Sequence, residues 1–369
     1  MSTRRKFIKA GSIALASQVA LSACTKKPDS EVASTSKGKV KYKWKMITTW
    51  PKNFPGLGTG ANKLAQYINE LTDGAIEVKV FGAGEIVPAL EVFDAVQRGT
   101  AEIGHGAAYY WQGKHEATSF FAAIPFGLNA HEMNSWIYYG GAQKLWDDLY
   151  APFGVKPFCA GNTGVQMGGW FNKDLISLDT FKGLKIRMPG LGGKVISELG
   201  SVVVAMPGGE IFQALKTGTI DGAEWVGPYN DLAMGLHKAA KFYYWPGWHE
   251  PGSAIEALLN KKAYDALPKS LQLAVERACQ CANLDMMADY YLKNAEALTT
   301  LTTKEKVILK KFPDEVLKKL HEISNDIVLK ISRKDALSKQ IFTSFEKALK
   351  VSYRWNEISE AAFTDARKL

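Results

Sequence analysis

The sequence predicts an α/β fold of two related lobes followed by a helical region, and three observations carry that prediction. Short apolar runs alternate with helix-periodic segments over the first two thirds of the chain. A twelve-residue segment recurs about 120 residues downstream. Beyond residue 268 the pattern is helical almost to the end. Strand and helix patterns in alternation are the mark of layered α/β architecture.

The elements follow in order. Residues 40–50 alternate well enough for a first strand. Residues 59–72 set Ala61, Leu64, Ala65, Ile68 and Leu71 on one helical face, and Gly74 ends that pattern. Residues 76–81 read as a strand, 88–98 as a helix, and 103–111 as a strand feeding a loop. The repeat aligns 91–102 (EVFDAVQRGTAE) with 210–221 (EIFQALKTGTID) without a gap. Each copy is a helix ending at a glycine, Gly99 or Gly218, the residue that takes a left-handed C-cap most cheaply. Each then enters a strand whose far end reaches an aromatic cluster, Tyr109-Tyr110-Trp111 in one and Glu224-Trp225 in the other. Two such strand ends can face each other across a cleft, where open α/β sheets bind ligands. Residues 268–298 read as one long helix, and both 305–312 and 313–365 continue the helical pattern.

The formal net charge of +9 is misleading. Residues 1–23 carry +4, and residues 24–43 carry a net +4, which leaves +1 for residues 44–369. The folded part therefore gives no support to a nucleic-acid partner. Arg4, Arg5, Lys6 and Lys9 precede an uncharged, mostly apolar run and then Cys24. That order is an export signal rather than a membrane span. Arg4-Arg5 followed by Phe7 resembles a twin-arginine signal. Residues 21–24 (LSAC) resemble a lipobox, with Cys24 as the lipidated first residue, against the alternative of an ordinary secretory peptide cut near Ala23. Residues 24–43 read as a solvated tether. Cys159, Cys279 and Cys281 show no zinc spacing, and the last two do not face each other on a helix.

The candidate chemistry favours binding over turnover. Arg187 lies between Ile186 and Met188 in a short strand before a Gly-rich turn, where its forked donors suit a carboxylate; a structural salt bridge is the competing reading. Gln166, in a presumed strand over 162–171, offers an amide oxygen to a hard cation or to a hydrogen-bond donor. Glu224 shares that ambiguity, and Asn230 adds a polar tip in the loop after it. One glutamate, one glutamine oxygen and backbone carbonyls would make an oxygen site for a cation. Trp50, Tyr109, Tyr110, Trp225 and Trp248 could wall a cleft or fill a core. Among the histidines, only His105 is placed near the cleft. An enzymatic reading would use Glu224 as acid or base with Asp221 or Glu250, but sequence spacing selects no pair.

Seven segments together resemble the solute-binding proteins of TRAP transporters (tripartite, ATP-independent), and especially the branch that takes 2-oxo and 2-hydroxy monocarboxylates with a cation. They are residues 49–65 (TWPKNFPGLGTGANKLA), 106–114 (GAAYYWQGK), 122–128 (AAIPFGL), 166–171 (QMGGWF), 183–190 (GLKIRMPG), 214–231 (ALKTGTIDGAEWVGPYND) and 244–252 (YWPGWHEPG). The resemblance implies a two-lobed periplasmic-binding-protein-like fold with mixed sheets, an interlobe ligand cleft, a long spanning helix and a helical C-terminal extension. It implies lobe I over 44–160 plus about 250–310, lobe II over 161–249, a spanning helix over about 268–298, and an extension over 311–369 that serves as a candidate dimerisation element. It further implies that Arg187 clamps the solute carboxylate and that Gln166, Glu224 and the Trp225 carbonyl hold the cation. Sodium is favoured for that cation, with calcium as the alternative. Asn230 and Tyr110 lie near the solute. The expected protein is not an enzyme but a periplasmic receptor, tethered through Cys24, that delivers solute to a membrane permease. A dicarboxylate-binding receptor of the same class is a further alternative.

Overall fold

The computed structural model describes residues 40–369, so the export signal, Cys24 and most of the tether lie outside the described residues. Residues 38–369 form a single unit. Among the described residues, no helix is long and apolar enough to cross a membrane.

In chain order the elements are β1 (Tyr42–Thr48), α1 (Leu57–Leu71), β2 (Ile76–Phe81), α2 (Val92–Gln97), β3 (Ile103–Gly106), α3 (Ala130–Tyr138), α4 (Ala142–Tyr150) and β4 (Val155–Asn162). There follow β5 (Gly169–Phe171), β6 (Lys185–Arg187), α5 (Gly190–Glu198), β7 (Val202–Val204), α6 (Gly208–Thr217), β8 (Gly222–Ala223) and α7 (Pro228–Met234). The chain ends with β9 (Phe242–Trp245), β10 (Ala254–Asn260), α8 (Lys261–Asp265), α9 (Lys269–Thr303), β11 (Ile308–Lys311), α10 (Asp314–Ser332), α11 (Ala336–Ile358) and α12 (Glu360–Ala366).

Two mixed sheets organise these elements. The first has the order β2-β1-β3-β10-β4, and the second β11-β9-β5-β8-β6-β7. Read from β7 inward, five strands of the second sheet repeat the order of the first, and β11 is added beyond them. In each, a βαβαβ unit supplies three parallel strands (β1, β2, β3 or β6, β7, β8), and the third also pairs with an antiparallel strand, β10 or β5. The repeat seen in the sequence is thus the last helix and strand of each unit. Gly99 and Gly218 sit at φ 77° and 74°, the left-handed cap that both copies need.

The long helix α9 joins the two lobes. It packs on α1 and β4 of the first and on α7 of the second. Its approach to α1 depends on glycine. A Cβ at Gly60 would lie 2.3 Å from the Met286 methyl, and one at Gly56 would lie 2.6 Å from the Tyr290 ring. After α9, α10 packs on α5 while α11 packs on α3 and α4, so the extension touches both lobes.

Several local expectations are corrected. Residues 308–311, read as helix, are the strand β11, which pairs in parallel with β9 and covers its edge; the stretch expected in lobe I thus ends in the other sheet. Pairing along a free edge outweighs the lysine-rich helical periodicity there. The long helix runs to Thr303 rather than 298, and the single periodic stretch over 313–365 is three helices. Asp335 caps α11 by accepting from the Ser338 backbone N–H at 2.7 Å, which ends the preceding helix. The strand expected over 103–111 stops at Gly106, and 108–111 is a 3₁₀ turn. The strand expected over 162–171 is split: Gln166 lies in a loop between β4 and β5, with Gly164 at φ 68°.

Replacing Gly218 by alanine should cost about 1 kcal/mol, because a Cβ at φ 74° is strained although nothing crowds it. Urea unfolding would show a lower midpoint with the same slope, and an unchanged midpoint would contradict the left-handed cap.

Candidate functional site

Sheet register builds the centre of the site. Arg187 is the last residue of β6, paired in register with Ala223 of β8, so Glu224 emerges beside it at the carboxyl end of the sheet. Both side chains are buried, at 2% and 1% exposure. Arg187 Nη1 donates to the Glu224 carbonyl at 2.7 Å and to Glu224 Oε1, while Nε donates to the Met206 carbonyl at 3.4 Å. The guanidinium lies over the Trp225 ring, 5.1 Å from its centroid. Burial works against the Arg187 charge, but Glu224, with Tyr110, Tyr109 and Glu250 behind it, more than offsets it and raises the guanidinium's pKa. Glycine shapes the floor here: a Cβ at Gly208 would fall 2.2 Å from the Trp225 ring.

A second strand of chain completes the cluster. Residues 247–250 pass against the Gln166 loop so closely that a Cβ at Gly247 would lie 2.2 Å from the Gln166 carbonyl oxygen. That contact brings His249 Nε2 to 3.3 Å from Glu224 Oε2. It also sets Glu250 Oε2 to accept from Gln166 Nε2 at 2.7 Å, from Ser253 Oγ, and from the Tyr109 hydroxyl at 3.4 Å. Ligand atoms of Glu224, His249 and Glu250 all lie within 4.8 Å of one another. Burial, and next the charge of Glu224, push the Glu250 carboxyl up to about 7. Gln166 Oε1 is buried without a partner, an amide oxygen facing no donor. Two carboxylates and an orphaned amide oxygen are hard donors, a set that fits a cation of the sodium or calcium type.

The first lobe supplies the aromatic wall. The Trp50 ring lies 6.2 Å from Trp225 and 6.1 Å from Tyr110, and Phe54 reaches Trp225 at 6.1 Å. Tyr110 is pushed up to about 12, by burial first, so it stays a neutral donor. His105 stands behind this wall: its Nδ1 accepts from the Trp50 indole at 2.9 Å, and burial holds its pKa at about 3.

The structure therefore gathers Arg187, Glu224, Trp225, Gln166 and Tyr110 around one centre. Asn230 is engaged by neighbours of the site: its Nδ2 donates to the Pro55 carbonyl at 2.8 Å, and its Oδ1 accepts from the Tyr290 hydroxyl at 2.6 Å. Asp221, weighed as a second acid, instead accepts from the Lys185 backbone N–H at 2.9 Å. Glu250, a candidate acid by sequence, and His249 reach the cluster through the Gly247 turn, which sequence spacing does not connect to Gln166.

Two βαβαβ lobes with a charged, buried centre at their strand ends define a receptor that captures a small ionic solute. The chain belongs to the DctP family, the bacterial extracellular solute-binding proteins of family 7, whose model matches residues 47–335. It is accordingly a non-catalytic, periplasmic binding protein of a TRAP transporter. It is 43% identical over 360 residues, 98% of this chain and 97% of the relative, to a monocarboxylate 2-oxoacid-binding periplasmic protein of Nostoc sp.. A TRAP transporter solute-binding protein from Bordetella bronchiseptica, a mixed-occupancy dimer with copurified calcium and picolinate, superposes with a TM-score of 0.87. It is 37% identical, covering 89% of this chain and 98% of that one. A counterpart from Pseudoalteromonas atlantica with bound sodium and pyruvate gives a TM-score of 0.85 at 36% identity, covering 88% and 99%.

A proton on Glu250 competes with any cation held by the cluster. Calcium affinity should therefore rise with pH up to about 7, by at most roughly tenfold per unit, and then level off. Glu250→Gln should flatten that profile in calcium titrations across pH 6 to 8, whereas a flat wild-type profile would exclude Glu250 from the cation's surroundings.

Proposed function

We propose that the protein captures a small 2-oxo or 2-hydroxy monocarboxylate together with a cation and presents it to a membrane permease. The observation that carries this reading is the charge balance of the buried cluster. Arg187 contributes one positive charge against the carboxylates of Glu224 and Glu250. A monocarboxylate entering alone would bury a further negative charge without a partner, at prohibitive cost. Pyruvate and picolinate, bound by the relatives, each carry a second donor atom beside the carboxylate, which matches a site that holds an anion and a cation side by side.

In this reading Gln166 Oε1, the Glu224 carboxylate and the Trp225 carbonyl hold the cation, and Glu250 adds a second carboxylate. The cation supplies positive charge to the solute oxygens next to the carboxylate. Arg187 turns its fork from Glu224 to the solute carboxylate, and the Tyr110 hydroxyl donates beside it. Trp50, Phe54 and Trp225 exclude water, which strengthens each of these interactions. Sodium, the expectation from a single glutamate, balances the cluster when Glu250 keeps its proton. Calcium balances it when both glutamates are ionised, and above pH 7 calcium is the better match. Closure is a population shift driven by the solute's preference for the closed form.

Arg187→Ala should abolish pyruvate binding in calorimetry. Glu224→Gln should bind only weakly and lose its dependence on added calcium. Wild-type affinity in Arg187→Ala, or no cation dependence in the wild type, would overturn the reading.

The same proposal covers the finer assembly. Val351, Trp355, Ile358 and Phe363 on α11 and α12 are largely exposed, an apolar stretch suited to a second copy of this chain, and Cys24 would carry the lipid tether. Light scattering of the mature protein should give twice the chain mass, and removal of residues 351–369 should give the monomer. A full-length monomer would refute the assignment.

A further inference from the structure

Apart from the ionic cluster of Arg187, Glu224 and Glu250, each lobe buries one carboxylate without an ion-pair partner among the described residues, and the two are held alike. Glu256, within β10 and fully buried, accepts from the Trp111 indole N–H and from the Tyr150 hydroxyl at 3.0 Å. Asp231, in α7 and 1% exposed, accepts from the Trp170 indole N–H at 2.9 Å and from the Tyr243 hydroxyl at 2.6 Å. Burial pushes Glu256 up to about 8 and Asp231 up to about 7. An apolar residue would fill either position at lower cost, so core packing does not account for them.

What the two groups hold is the informative part. Trp111 ends the 3₁₀ turn over 108–111 that carries Tyr109 and Tyr110 to the site. Glu256 is the register partner of Gly106, just before that turn, where a Cβ would sit 3.1 Å from the Trp111 ring. The indole is therefore fixed from one side by the carboxylate and from the other by the bare strand. In the second lobe, Asp231 Oδ1 accepts from the Val226 backbone N–H at 3.4 Å. The Val226 carbonyl in turn accepts from the Met167 N–H at 3.0 Å. Val226 directly follows Glu224 and Trp225, and Met167 directly follows Gln166. Trp170 and Tyr243, the two donors to Asp231, are register partners stacked at 4.0 Å, which makes them a rigid mount.

We infer that Glu256 and Asp231 are positioning residues for opposite halves of the solute site, Glu256 for the tyrosine turn that meets the solute and Asp231 for the Glu224–Trp225 turn that meets the cation. The inference rests on the proposed function and predicts a split between two constants. Tyr150→Phe and Tyr243→Phe each delete one hydroxyl from a carboxylate mount and leave the packing in place. Each is read by pyruvate titration at saturating calcium and by calcium titration at saturating pyruvate, with the melting temperature as the control for stability.

Tyr150→Phe should weaken pyruvate about fivefold and leave the calcium constant at the wild-type value, and Tyr243→Phe should do the reverse. Lower melting temperatures with both constants unchanged would make the two carboxylates purely structural and overturn the inference. Equal weakening of both constants in both variants would also overturn it. Wild-type protein that binds no pyruvate with calcium would instead overturn the proposed function itself.

Discussion

The buried pair of Arg187 and Glu224 is the interaction on which the rest of the site depends. Neither charge could stay in so dry a place alone, and pairing two charges out of water is poor economy for stability. Their adjacency follows from register, because β6 and β8 lie side by side and both residues leave the sheet at its carboxyl edge. Trp225 stacks on the guanidinium and closes it from the first lobe's side, while His249 approaches the free carboxylate oxygen. A pair of this kind is well suited to exchange: an incoming anion and cation can replace each partner of the pair without ever leaving a charge uncompensated.

Much of this could be read from the residues, and the reasons differ by scale. The repeat over 91–102 and 210–221 revealed the two lobes because helix, left-handed glycine and strand form a local unit whose cues lie within a dozen residues. Arg187 stood out because a guanidinium between two apolar strand residues must find an anion. Which anion it pairs with is set by strand register, which no local pattern contains. The place of Glu250 and His249 beside Gln166 escapes local pattern for the same reason, since their route to it passes through a backbone contact at Gly247. The strand β11 was misread because its lysines mimic a helical surface, and only the exposed edge of β9 makes a strand the better choice.

The two sheets also divide the labour of recognition. The first lobe contributes uncharged groups, rings and phenols, whereas the second contributes the arginine, Glu224 and the hard oxygen of Gln166. Specificity for the size of the solute and tolerance for its charge are therefore carried by different parts of the chain. Substitutions in the first lobe can reshape the apolar wall without disturbing the charge balance set by the second.

The glycines of α1 carry a mechanical consequence. Gly56 and Gly60 let the start of α1 seat against Tyr290 and Met286 with no room for a Cβ. Tyr290 also reaches α7, donating to Asn230 and meeting the Tyr229 ring edge-on at 5.8 Å, and the Tyr229 N–H donates to Asn294 of α9 at 3.0 Å. The long helix thus ties the lobes together at one point: Tyr290 meets Gly56 of the first lobe and donates to Asn230 of the second, whose Nδ2 returns to the Pro55 carbonyl of the first.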